Sequence, residues 1–468
     1  MVNKLINTIP FGASLIWMLA IIVLGLQSEF LSGGADSYTH FNMAKWSFEH
    51  PHLFLDQWGK PLFTTFMAPW AQFGIDAVVI ANVSLALAAL FITAITAKKM
   101  DLSLPWIAVV FVLAGPVYSA IMISSLTEII FAFTLSLSVF FVVNKQYTIG
   151  FICISFIPFA RTEGIIFLPL FALVALLVKK PAHILFLGVG FMSISLVGLN
   201  FYDDLWWVIH QMPYGHSNVY GSGDLLHFYN YMQDIFGNFV FWLAVIGVVI
   251  SLISKGKNRD KWVHIILIFG CGFGYFLAHA FVWWQGMGSS LGLTRVMAGV
   301  APLFGIMACF AVQPLFKVSN TYLKLSTLTI LIYFSLTSFM NRKSIPILSN
   351  PESALNAIAG SWVKEEIDFE EHYVVFYNPT MAYFLEIDPY NTERCREGLP
   401  SHQNLNEGLP ENSILIYDTH FGNERGLPLD TLIQNQDFTL KKSFLKADYQ
   451  EQLGEHDYEI YIFELSDS

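Results

Sequence analysis

The chain has 468 residues, of which 54% are hydrophobic and only 13% charged, and its mean hydropathy is +0.53. That is too apolar for a water-soluble fold of this length, and apolar runs near the ~20 residues a bilayer demands recur along it, so the sequence reads as a multi-pass membrane protein. The net charge of −11 is split: 23 acidic and 7 basic residues follow position 349, against 13 acidic and 18 basic before it, so a basic membrane part precedes an acidic, water-soluble tail and no nucleic-acid partner is expected.

In chain order, the first apolar run covers 11 to 26 behind Lys4. No small-x-small cleavage pattern follows it, which favours an uncleaved first helix over a signal peptide. Further runs are centred near 86, 113, 134, 153, 171, 191, 245, 273, 304 and 331, giving about eleven membrane helices, several short or broken. If they alternate, Lys4, Lys98, Lys99, Lys145, Lys179, Lys180, the group Lys255, Lys257, Arg259 and Lys261, and then Lys317 and Lys324 share one side, which the positive-inside rule makes the cytoplasm. The other side carries longer segments: 30 to 74, 200 to 235, and everything after 341.

The first outer loop holds Asp36 and then a stretch, 38 to 49, whose apolar Phe41, Ala44, Trp46 and Phe48 suit a short interfacial helix. The second is rich in Trp206, Trp207, Tyr214, Tyr220, Tyr229 and Tyr231, an interfacial composition. After Pro351 the pattern changes to strand-like runs at 372–377, 414–418 and 458–465, with a helix-compatible stretch at 429–436. This predicts a compact α/β domain of about 110 residues on the outer face. The expected division is therefore a transmembrane domain over 1–345 and a soluble α/β domain over 346–468.

Asp36 reads either as the N-cap of the helix starting near Ser37 or as a functional carboxylate. His40 would share its helical face, and Lys45, Glu49, His50, His52, Asp56 and Lys60 crowd the same loop. A carboxylate among cations at a membrane surface stays ionised and can accept a proton. Trp58 and Lys60 read as interfacial anchors or, for Lys60, as the partner of an anion such as a phosphate.

Charges inside apolar runs carry more information, because one at a helix centre costs ~2.5 to 3.5 kcal/mol on insertion scales and faces a cavity or a partner. Glu128 opens the fourth span. Arg161 and Glu163 interrupt a run from 149 to 178 that has lysines on both flanks, which predicts two short helices meeting at an outer turn. There the pair would border a cavity or form an intramembrane salt bridge. Arg295, before the tenth span, is placed to meet a lipid phosphate.

Cys153, Cys271 and Cys309 lie in apolar spans and Cys395 stands alone, so neither a disulfide framework nor a zinc spacing is present. Asp36, His40, His50 and His52 are conceivable divalent-metal ligands, but His50-Pro51-His52 lacks the i, i+4 spacing of helical zinc sites, and no cofactor is expected. No glycine-rich phosphate loop follows a strand and no Gly-x-Ser-x-Gly elbow occurs, so nucleotide hydrolysis and serine hydrolase chemistry have no support.

Ala35-Asp36-Ser37-Tyr38 followed by Met43-Ala44, Lys60-Pro61-Leu62, Thr127-Glu128 and Arg161-Thr162-Glu163-Gly164 together resemble the GT-C superfamily of membrane glycosyltransferases. The likeness is to the lipid-linked-sugar transferases of the protein O-mannosyltransferase and aminoarabinose-transferase type, and it extends over most of the chain. Two departures are visible: Ser37 follows Asp36 where many relatives carry a second acidic residue, and the common Lys-Pro-Pro is reduced to Lys60-Pro61. The resemblance implies inverting transfer of a sugar from a polyprenyl-phosphate donor to a lipid, protein or glycan acceptor on the outer face. Asp36 would be the base, Lys60, Arg161 and Arg295 would stabilise the leaving phosphate, and Trp58 or Tyr38 would stack on the sugar. A bacterial inner membrane is the expected location. The rival readings are a transporter or flippase of lipid-linked glycans, whose usual internal repeat is not visible, and a sensor whose acidic tail binds a ligand.

Overall fold

The computed structural model describes residues 2–28, 30–214, 221–253, 259–341, 350–368 and 371–465. Tyr220, Lys255 and Lys257 of the loops discussed above lie outside these residues, as does the side chain of Lys4. Among the described residues six helices are long and apolar enough to cross a membrane: Thr8–Gly25, Ile75–Lys99, Pro181–Tyr202, Arg259–Gln285, Thr294–Phe316 and Thr321–Met340. Four shorter apolar helices, Glu128–Val143, Tyr147–Phe159, Thr162–Leu177 and Asn238–Ile253, stand beside them, and Ile107–Leu113 with Pro116–Ile121 makes one more pass broken at Gly115-Pro116. Proline there removes an amide donor and clashes with a continuing helix. Each run expected from the sequence falls on one of these passes, so the protein is a helical multi-pass membrane protein of about eleven helices.

Contacts between turns bear out the alternation. On one side, Lys145 Nζ lies 3.1 Å from Asp260, and Gln313 receives a hydrogen bond from Ser103 N at 2.7 Å while donating to Asp101 O at 3.1 Å. The turns around 122–127, 160–161 and 286–293 gather at the opposite ends with the segment 30–74. One hydrophobic core runs from Ile6 to Phe339. Within it Asn238–Ile253 and Ala301–Phe316 approach so closely that a Cβ on Gly247 would meet Met307 O at 2.0 Å, the small-residue contact by which membrane helices let backbones touch. Gly247→Val should therefore lower stability by about 1–3 kcal/mol. Gly274→Val, at a position with nothing within 4 Å of the added Cβ, should not, and thermal unfolding in detergent compares the two.

The segment 30–74 folds as the helix Ala35–Trp46, a 3-10 turn Pro51–Leu55 and the helix Pro61–Ala71. The helix Ala35–Trp46 does not float on an interface. Ser37, Tyr38, His40, Phe41, Asn42, Met43 and Ala44 are all buried, because Pro61–Ala71 covers one side and the C-terminal domain the other. Phe48, expected on its apolar stripe, falls beyond the helix end and is 55% exposed.

The C-terminal domain holds the helix Pro351–Glu366 and a five-stranded sheet ordered β2-β1-β3-β5-β4. The strands are β1 (Tyr373–Phe376), β2 (Cys395–Glu397), β3 (Ser413–Asp418), β4 (Phe438–Phe444) and β5 (Ile460–Leu465). β1 is parallel to β2 and β3, whereas β3/β5 and β5/β4 are antiparallel. Alternate residues feed two cores: Val374, Phe376, Ile414, Ile416, Ile460 and Ile462 on one face, Val375, Tyr377, Leu415, Tyr417, Tyr461 and Phe463 on the other. β1, β3 and β5 match the runs expected from sequence. β4 escaped notice because its middle, Thr439 to Lys442, is exposed at the sheet edge and has Leu440 as its one apolar residue, so no alternation marks it.

Candidate active site at the ends of the helices

Gly33 and Gly34 have φ of +93° and +59°, values that L side chains rarely adopt, and a Cβ on Gly33 would meet Leu126 Cδ1 at 2.4 Å. This turn, pressed against the entrance of the fourth pass, delivers Asp36 into the first turn of Ala35–Trp46; the N-cap position itself is Gly34. Ser37 Oγ donates to Ser32 O at 2.6 Å, and Ser125 Oγ donates to Ser37 O, which fixes the helix start to the 122–127 turn.

Asp36 forms an ion pair with Arg295, whose Nη1 also donates to Gly33 O at 3.3 Å. Arg295 Nε lies 3.4 Å from Glu128 Oε1, and Arg161 Nη1 lies 2.8 Å from the same oxygen. Arg161 Nε in turn donates to Glu163 Oε1 at 2.6 Å and Nη1 to Thr127 Oγ1 at 3.0 Å. Four predicted residues from three separate turns thus join Asp36 in one chain of alternating charge, Asp36–Arg295–Glu128–Arg161–Glu163. Arg161 is extended between the helices Tyr147–Phe159 and Thr162–Leu177, which are two short helices as expected, and the Arg161–Glu163 salt bridge sits at their junction.

Glu128 is completely buried, the Glu163 side chain is 26% exposed and the Asp36 side chain 38%, so Asp36 is the most accessible carboxylate of the chain. Burial alone would raise the Asp36 carboxyl, but Arg295 outweighs it and holds it below the ordinary carboxylate value, so it is ionised at neutral pH.

Lys60 is a different kind of cation. Its side chain is buried, and Nζ donates to Gln57 O at 2.6 Å, Thr162 Oγ1 at 3.1 Å and Tyr214 OH at 2.5 Å, with the Tyr214 ring 4.6 Å away. All three acceptors are neutral, and among the described residues no carboxylate forms an ion pair with it. Burial pushes the ammonium down to about 8. The backbone at Lys60 has φ +67°, a conformation that costs of order 1–3 kcal/mol for a residue other than glycine and persists at functional sites. A buried ammonium whose hydrogen bonds all go to neutral groups, with the carboxylates of Glu163 and Asp56 acting on it only at a distance, can take an anion as a direct partner.

His40 stacks on Trp58 at 4.6 Å and lies against Phe63 at 5.4 Å; burial drives it down to about 3, so it is neutral. One face of Trp58 is thereby occupied. Tyr38 is 2% exposed and packs on Tyr383 and Phe384 of the C-terminal domain at 5.0 and 5.5 Å, which leaves it no face for a sugar and gives it the role of joining the domain to the helix that carries Asp36. Arg295, expected to meet a lipid phosphate, is engaged by Asp36 and Glu128 instead. His50 Nε2 lies 2.7 Å from Asp388, a second tie to the C-terminal domain, and among the described residues no group of three or more His, Cys, Asp or Glu is arranged to hold a metal ion.

Sequence reasoning passed over Tyr275 and His279. The Tyr275 hydroxyl donates to Glu163 Oε1 at 3.1 Å, and His279 Nε2 is 4.0 Å from the same oxygen. Their signal was present as a Tyr and a His four apart in an otherwise apolar pass, one turn apart on a single helix face. Thr162 and Tyr214 were visible only as a motif neighbour and an interfacial aromatic.

About eleven passes, a carboxylate–arginine chain where their ends meet, and a small α/β domain resting on that end make up a helical membrane fold of a kind already solved. Two solved structures share it, both of ArnT from Cupriavidus metallidurans. One, bound to undecaprenyl phosphate, has a TM-score of 0.63 over 96% of this chain and 98% of its own; the other, in the apo state, has 0.64 over 97% and 98%. Identity is 10% in each case, so the likeness is one of fold. No family model matches the chain, and no curated protein matches its sequence significantly.

Proposed function

We propose that this protein transfers a sugar from a polyprenyl-phosphate donor to an acceptor hydroxyl, with inversion, at the face where Asp36 and Lys60 lie. The observation that carries the reading is Lys60: a buried, backbone-strained cation without a carboxylate partner among the described residues, in the same loop as a reachable, ionised Asp36. The acceptor O–H proton passes to Asp36 as its oxygen attacks the anomeric carbon, the anomeric C–O bond to phosphate breaks, and the departing polyprenyl phosphate takes its electron pair to Lys60. Arg295 and Arg161 hold Asp36, Glu128 and Glu163 in place and add positive potential. The undecaprenyl phosphate bound to one fold neighbour supports a polyprenyl-phosphate ligand here.

Residues 1–345 act as the catalytic membrane domain and 346–468 as an extracytoplasmic domain. The positive-inside rule applied to Lys98, Lys99, Lys145, Lys179, Lys180, Arg259, Lys261, Lys317 and Lys324 supports a reading in which those ends are cytoplasmic and the site faces outward, the membrane in this proposal being a bacterial inner membrane. Nucleotide sugars are cytoplasmic, so a lipid carrier is the donor available there. The reading is tested by transfer of radiolabelled sugar from a panel of polyprenyl-phosphate sugars by the purified protein. Transfer by wild type supports it; substrate translocation across vesicles without transfer would replace it with the flippase reading.

Lys60→Gln removes the charged donor to the phosphate, worth about 1.5–3 kcal/mol, and should raise the donor KM about ten- to a hundredfold. The wild-type pH dependence carries the same signature. Above about 8 Lys60 becomes neutral in the folded protein, so the donor KM should climb there. Stability should move oppositely: between about 8 and the ordinary 10.5 the unfolded chain keeps the proton that the fold has released, so stability from this group rises with pH. A donor KM that stays flat from pH 7 to 9.5 would remove Lys60 from phosphate binding.

A further inference from the structure

Glu163 stands between two cations. Its Oε1 accepts from Arg161 Nε at 2.6 Å, and its neighbour Thr162 accepts from Lys60 Nζ at 3.1 Å. Of the two carboxylates that act on the Lys60 ammonium from a distance, Glu163 has the stronger effect and Asp56 the weaker. A buried ammonium and a carboxylate at such range attract strongly, because little water screens them. Arg161 alone resists that pull poorly. Among the described residues its one hydrogen bond to Glu163 comes from Nε, while Nη1 is turned to Glu128 Oε1 and Thr127 Oγ1. A two-pronged fork fixes a carboxylate in place, whereas a single bond lets it pivot.

The second bond comes from Tyr275 in the pass Arg259–Gln285, whose hydroxyl donates to the same Oε1 at 3.1 Å. Its ring is held too firmly to follow a moving carboxylate. It is buried, stacked on Phe167 at 5.7 Å, packed on Phe131 at 5.5 Å and backed by His279 at 4.4 Å. Phe131 and Phe167 follow Glu128 and Glu163 by three and four residues, so the ring is wedged between the two passes that carry those carboxylates. His279 Nε2, at 4.0 Å from Glu163 Oε1, is beyond hydrogen-bond reach. The Tyr275 hydroxyl is therefore what this pass contributes to fixing Glu163.

From this geometry we infer that Tyr275 is a positioning residue of the donor site: together with Arg161 it holds the Glu163 carboxylate off Lys60 and leaves the ammonium open to a phosphate. Without the hydroxyl, Glu163 swings to Lys60, and the phosphate must compete with a tethered carboxylate. Naming phosphate as what Lys60 binds rests on the proposed transfer reaction; the separation of Glu163 from Lys60 does not.

The test is the affinity of the purified full-length protein in detergent for undecaprenyl phosphate, measured from pH 7 to 9.5, which needs no turnover. Tyr275→Phe keeps the ring and its stacking, and should weaken binding about tenfold at pH 7. Adding Glu163→Gln should restore most of that loss, since an amide brings no charge to Lys60; a packing defect would not be rescued in this way. The pH profile carries a separate signature. Lys60 is faced by Glu163 and Arg161 from the junction of the two short helices, by Asp56 from its own loop, by Tyr214 from the second outer loop and by the neutral His40. Wild-type binding should fall above about 8 as Lys60 loses its proton, whereas in Tyr275→Phe the adjoining carboxylate keeps that proton on and the fall should move to higher pH.

Binding by Tyr275→Phe equal to that of wild type, a loss that Glu163→Gln leaves in place, or no binding by wild type would overturn the inference. Binding that follows the expected pattern with no sugar transfer would leave Tyr275 its role and remove the transferase reading. Transfer by wild type alongside unaltered binding in Tyr275→Phe would do the reverse.

Discussion

Asp36→Asn should lower sugar transfer about 10²–10⁴-fold, the range removed with a positioned general base, while leaving the protein folded and the donor bound. Asparagine keeps the shape and part of the hydrogen bonding toward Arg295 but cannot take the acceptor's proton. Arg295 retains Glu128 at 3.4 Å, so the ion-pair chain shortens without breaking. Donor KM is expected to change little, since Lys60 is untouched. The measurement is initial-rate transfer with a labelled donor, with melting temperature as the control for folding. A variant within threefold of wild-type kcat would assign Asp36 a structural role as partner of Arg295.

Arg161→Met should destabilise the protein by about 3–5 kcal/mol, the largest loss expected from a single side chain at this site. Arg161 faces Glu128 at 2.8 Å and Glu163 at 2.6 Å, and Glu128 is fully buried. Glu128 Oε2 has no hydrogen-bond partner among the described residues, so that carboxylate relies on its arginines. Removing Arg161 strands charge in a medium that cannot solvate it. Adding Glu128→Gln removes part of the stranded charge, so the double variant should be more stable than the two single effects added together, the non-additivity expected of contacting residues. Unfolding in detergent across the four proteins measures the coupling; strict additivity would mean that the two side chains do not depend on each other.

These two residues also show how the site could and could not be read in advance. Arg161 and Glu128 stood out because a charge in an apolar run is expensive enough to be rare without a purpose. Asp36 stood out through a helix start and its crowded loop. Of the pairings only the Arg161–Glu163 salt bridge was among the readings. Arg295 was assigned to a phosphate, yet it lies against Asp36, 259 residues away in sequence. Tyr38 was offered to a sugar, yet its ring is closed off by Tyr383 and Phe384 of a domain that begins some three hundred residues later. Lys60 was ambiguous between an anchor and a phosphate ligand until its three neutral partners came from Gln57, Thr162 and Tyr214.

The sequence by itself determined the membrane class, the position of each pass, the alternation of sides, the break at Arg161 and the central strands of the C-terminal domain. All of these follow from local quantities: mean hydropathy over a bilayer's length, the side preferred by lysine, and the two-residue period of a strand buried in a sheet. The tertiary structure decided which arginine holds which carboxylate, that Lys60 alone of the site's cations hydrogen-bonds only to neutral groups, and that the helix Ala35–Trp46 is enclosed. Each depends on segments far apart in sequence arriving within a few ångströms of one another. An ion pair or a ring contact is a property of that distance, and no pattern along the chain records it.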